Sequence, residues 1–112
     1  MKIVENFGAQ GDVVFRRIAA LPSGAERQSR KAGEPLVVTH SETGHHHIMS
    51  NPEVECFAAG DPLVSYLRLT GDAEVEHLRP YDTHETLRLG AGYWEVRRQR
   101  EHTPEGWRRV ED

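Results

Sequence analysis

Apolar and polar residues alternate in short runs along most of this chain, and most runs stop at glycine, proline, asparagine or aspartate. Period-two alternation gives a strand one buried face, and turn-forming residues close it. Gln10-Gly11-Asp12 is a turn that launches a strand over 13–18, which Leu21-Pro22-Ser23-Gly24 stops. Residues 25–35 are polar all round, with no apolar stripe to anchor a helix, so residues 22–35 are expected to form a polar loop. Leu36, Val38 and His40 share one face of the next strand, and Ser41 to Gly44 turn it into 45–49. Asn51-Pro52 then breaks the pairing. Further strands are expected over 54–58, 63–69, 73–77, 86–89, 93–100 and 107–110. In 73–77 Ala73, Val75 and His77 take one side and Glu74 and Glu76 the other. Strands this short and evenly spaced predict an all-β fold, a small barrel or sandwich with little helix.

Composition narrows the picture. A chain of 112 residues is long enough for one core, so 1–112 is expected to be a single domain. No stretch approaches ~18 consecutive apolar residues, and 1–10 lacks the apolar centre of a signal peptide, which together point to the cytoplasm and away from membranes. Cys56 is the only cysteine, so an internal disulfide and a thiolate-rich zinc site are excluded. Placed between Glu55 and Phe57, it is expected to be a small buried hydrophobe. The net charge of −4 argues against a nucleic-acid binder. Arg97, Arg98, Arg100, Arg108 and Arg109 crowd the C-terminal end, but Glu95, Glu101, Glu105, Glu111 and Asp112 sit among them, which predicts a mixed-sign solvated surface.

The chemistry concentrates in Thr39 to Ile48, where four of the seven histidines and Glu42 fall within ten residues. Imidazole is the commonest side-chain ligand for borderline metals. In an extended segment His45 and His47 point the same way and His46 the other. Two ligands from one strand and a third from elsewhere build a metal site economically. His84, at the mouth of the 86–89 strand, is the expected third ligand, with His77 and His40 as rivals; His102 is expected on the surface. Glu42 is a candidate carboxylate ligand, ligand-orienting group or general base, or a turn acid with no further role. Three histidines leave one position open on a divalent ion, zinc being the first candidate, for a water or a substrate. The same site would serve equally as a static clip between strands, which weakens below about pH 6 as imidazoles protonate.

Two resemblances bear on these residues. His45-His46-His47 resembles the His-x-His pair of the cupins, small β-barrels that add a later histidine and a glutamate four or five positions after the pair. Asn51 and Pro52 hold those positions here, the nearest acid is Glu53, and the Pro-x-Gly-x-x-His segment is absent. More of the chain resembles a group of small uncharacterised proteins from bacteriophage and bacterial genomes, with a Gln-Gly-Asp-Val start, a Thr-Gly-His-x-His centre and a Gln-Arg-Glu end. Here these are residues 10–13, 43–47 and 99–101, with His84, Gly92 and Tyr93 in matching order. Tyr81 stands where many of that group carry another histidine. The resemblance implies that His45, His47 and His84 act as a unit, and a phage or mobile-element origin; it implies no reaction.

The chain holds no nucleophile elbow and no phosphate-binding loop. The expected function is therefore a metal-binding structural or binding accessory module, with a cupin-like metal-dependent enzyme as the alternative and no catalytic residue assigned. A protein partner or self-association is the expected interaction. Trp94 and Trp107 are the aromatic residues that would serve such a contact if they do not pack in the core.

Overall fold

The structure, a computed structural model, describes residues 1–31, 34–39, 47–51, 53–77, 85–98, 100–103 and 106–109. Alternation appears in it as strands throughout, and the described residues contain no helix, hence none long and apolar enough to cross a membrane. In chain order the strands are β1 (Lys2–Val4), β2 (Phe7–Gln10), β3 (Val13–Ile18), β4 (Glu26–Gln28), β5 (Leu36–Thr39), β6 (His47–Met49), β7 (Glu55–Ala58), β8 (Val64–Leu69), β9 (Ala73–His77), β10 (Leu87–Leu89), β11 (Gly92–Arg98), β12 (Arg100–Thr103) and β13 (Gly106–Arg109).

They form a five-stranded sheet in the order β1-β10-β9-β6-β5, a six-stranded sheet in the order β2-β3-β11-β8-β7-β4, and a separate β12-β13 hairpin. Only β1 and β10 among these pairs run parallel. One apolar cluster joins the two large sheets: Val4, Val75 and Leu87 from the first meet Phe15, Leu67 and Trp94 from the second, each 2% exposed or less. The fold is thus all-β, with two sheets around one core, as the alternation predicts.

β3 and β9 have the predicted bounds, and β5 and β6 pair as the expected hairpin, with a register shift between Val37 and Thr39. Four strands, β1, β2, β4 and β12, were not expected. β1 and β2 are short edge strands, and β2 lies close enough to β1 that a Cβ on Gly8 would meet Val4 Cγ2 at 2.7 Å. Within the expected polar loop, β4 forms although all three of its residues are exposed. It is held by backbone pairing to β7 and by Arg27 Nε, 3.3 Å from Glu55 on that neighbour. The strand expected over 93–100 ends at Arg98, and Arg100 opens the separate hairpin.

Candidate functional site

The site begins at a turn. Gln10 ends β2, Val13 opens β3, and the two are register partners, so Gly11 and Asp12 form a two-residue hairpin loop. Gly11 has φ 60°, while no described non-glycine residue has positive φ, the pattern of a type II′ turn. This tight reversal puts two polar side chains inside the protein, with Gln10 1% and Asp12 2% exposed.

Gln10 crosses from the six-stranded sheet to the five-stranded one. Its amide nitrogen donates to Val75 O at 2.9 Å and to Glu85 O at 3.0 Å. Those two acceptors settle which end of the amide is nitrogen, and Oε1 is left as an acceptor. His47 Nδ1 lies 2.8 Å from that oxygen, so Nδ1 carries the hydrogen and donates it. In the neutral ring the lone pair is then at Nε2. His47 is 0% exposed and its Nε2 sits 3.7 Å from Asp12 Oδ1, beyond hydrogen-bond range.

Arg98 completes the cluster. On β11 the positions of Trp94, Val96 and Arg98 share the inner face, and the register sets Arg98 opposite Val13, beside Asp12. Its Nε and Nη2 each lie 3.4 Å from Asp12 Oδ2. A carboxylate this buried is costly without a neighbouring cation, and Arg98 supplies one. Four polar side chains from β2, the β2–β3 turn, β6 and β11 therefore meet where the two sheets close on each other.

Of the predicted ligands, His47 lies in this cluster. His45 and His84 lie outside the described residues, as do His40, His46, Glu42 and Tyr81. His77 is the register partner of His47 on β9. Among the described residues no three histidine, cysteine, aspartate or glutamate side chains gather as a metal-holding group. Trp94 is a core residue, 0% exposed, with its indole N–H donating to Gly90 O at 2.9 Å, so it offers no surface contact. Arg98 departs from the expected solvated surface, because the inward parity of β11 carries it under the sheet.

Sequence reasoning does not single out Gln10, Asp12 and Arg98 as site residues. For Arg98 a signal was present, since it continues the Trp94–Val96 face. For Gln10 and Asp12 the turn itself hid the chemistry, because polar residues beside glycine ordinarily face solvent. Elsewhere, a cavity of about 600 Å³ opens between β4 and β5, lined in part by Arg27, Arg30, Leu36, Val54 and Cys56 and by none of the four cluster residues. Cys56 is buried, as expected.

The chain belongs to a family described as a domain of unknown function, DUF8820, whose model matches residues 9–99, a span containing Gln10, Asp12, His47 and Arg98. No curated protein and no solved structure matches it.

Proposed function

We propose that this member of the DUF8820 family binds a divalent metal ion through His47, with His45 and His84 as further imidazole ligands and zinc as the first candidate. The ion would tie the two sheets together and stiffen a binding surface, in a cytoplasmic accessory protein of phage or mobile-element type. The observation that carries this reading is the 2.8 Å hydrogen bond from His47 Nδ1 to Gln10 Oε1. Metal-binding histidines commonly donate their other ring N–H to an oxygen, which fixes the tautomer and ring orientation and raises the basicity of the ligating nitrogen. Gln10, anchored by two backbone carbonyls, meets that need.

The surroundings favour a structural role over catalysis. His47 at 0% and Asp12 at 2% exposure lie deep between the sheets, and both sheets contribute to the cluster. An ion held there adds its binding free energy to the folded state alone.

Elemental analysis of untagged protein, followed by thermal melts with and without a chelator, tests the proposal. The expected result is close to one equivalent of metal, a lower Tm after stripping, and loss of both the metal and the shift in His47→Ala and His84→Ala. A wild-type protein that takes up no divalent ion, yet melts lower as His47→Ala, would make the cluster a purely polar staple. Turnover of a substrate that disappears in Glu42→Gln while metal content persists would favour the enzyme reading instead.

A further inference from the structure

We infer that Asp12 is a ligand of the same ion, making the site a mixed imidazole–carboxylate one. The inference rests on the metal-binding reading of His47 and adds to it the residue that decides the metal class. Two donors ~2.1 Å from one tetrahedral ion stand about 3.4 Å apart. His47 Nε2 and Asp12 Oδ1 are 3.7 Å apart, a few tenths beyond that edge and too far for a direct hydrogen bond.

Both groups are aimed by neighbours rather than by chance. Gln10 accepts from His47 Nδ1 and so directs the Nε2 lone pair. Arg98 engages Asp12 through Oδ2 with two nitrogens, which turns Oδ1 toward the histidine. The Gly11–Asp12 turn fixes the backbone of the carboxylate, so the donor comes from a tight reversal between two paired strands rather than from a long loop. Arg98 also offsets the carboxylate's charge, which lowers the attraction for the ion without removing the oxygen donor.

A set that mixes imidazole nitrogen with carboxylate oxygen and contains no thiolate suits manganese(II), iron(II) or zinc(II), and disfavours copper(I) and the other thiophilic ions. Glu42, the acid closest to the histidine run in sequence, lies outside the described residues; among the described residues the carboxylate beside His47 is that of Asp12, 35 positions away in the chain.

The test uses the full-length untagged protein, stripped with chelator and titrated calorimetrically with manganese(II) and zinc(II). Crystals grown with manganese(II) are measured at its absorption edge. The expected result is an anomalous peak within about 2.4 Å of both His47 Nε2 and Asp12 Oδ1. Asp12→Asn should then lose more than about 100-fold in manganese(II) affinity, above the ~10–100-fold that loss of an orienting contact costs. A peak bound to His47 but more than about 3 Å from Asp12 Oδ1 overturns the inference and leaves the His47 reading standing. Wild-type protein that binds neither ion overturns both. If Asp12→Asn does not fold, the wild-type peak position alone decides.

Discussion

At the residue scale, Gln10 is the most exacting position. Its amide serves two backbone carbonyls and one imidazole in a region sealed from water. Gln10→Leu keeps similar bulk but leaves Val75 O, Glu85 O and the His47 N–H without those partners, so unfolding free energy should drop by about 2–4 kcal/mol. Metal affinity should fall ~10–100-fold as well, because the ring loses its orienting acceptor. Denaturant titrations with and without chelator separate the two effects, and an unchanged midpoint in both would show that Gln10 anchors nothing. Cys56 makes a contrasting case. Burial pushes its thiol pKa up, outweighing the opposing influence of Ser65, the Phe57 backbone and the Arg30 charge. The reactive thiolate is therefore scarce in the folded protein as well as covered, and a disulfide reagent at pH 8 should label it at least about ten-fold more slowly than in denaturant. Equal rates would mean that the β4 edge opens freely and uncovers β7.

At the scale of elements, β2 and β11 carry most of the site's geometry. β2 and the turn that follows it each need a glycine, for different reasons. At Gly8 a methyl group would press on Val4, itself 2% exposed and part of the core. At Gly11 the backbone sits at φ 60°, where an L side chain costs roughly 1–2 kcal/mol. Gly11→Ala should lower stability by about that amount and, by shifting the turn that presents both Gln10 and Asp12, should also weaken metal binding. Loss of stability with metal affinity intact would separate the turn from the site.

The outer face of β11 gives a pH prediction. Burial alone would raise the Glu95 pKa, but the hydrogen bond and charge of Arg16, with Arg97 behind them, hold it below the ordinary glutamate value. A carboxyl depressed in the fold stabilises fully above its unfolded pKa, and that stabilisation is lost as pH falls through the folded value. With Arg16 largely in solvent the gain is modest, about 0.5–1 kcal/mol. The stability gap between wild type and Glu95→Gln should accordingly be present at pH 7 and close below about pH 4. A gap of equal size at pH 7 and pH 3 would remove the ion pair as its cause.

At the scale of the whole molecule, a single core spans both large sheets, and the polar cluster closes one part of their junction. One shared core implies one cooperative transition. Trp94 is buried at its centre under the guanidinium of Arg17, 4.5 Å from the ring. Its fluorescence should therefore report unfolding at the same denaturant concentration as far-ultraviolet circular dichroism, and separated transitions would mean that the sheets come apart independently.

Period-two alternation alone determined the fold class, most strand positions and the inward side of β9, because a strand with one buried face must write that pattern into its sequence. Local turn chemistry placed the reversal at Gly11. An edge strand such as β4 leaves no such pattern, because backbone pairing holds it and leaves its side chains to solvent. The densest histidine run contains His47, but spacing does not determine its partners. Gln10 and Asp12 reach it from a strand end and a turn 37 and 35 positions away, and Arg98, 51 positions away, reaches Asp12 beside it, all brought together by register across two sheets. Burial of a polar side chain depends on which element lands over it, and only the tertiary structure decided that.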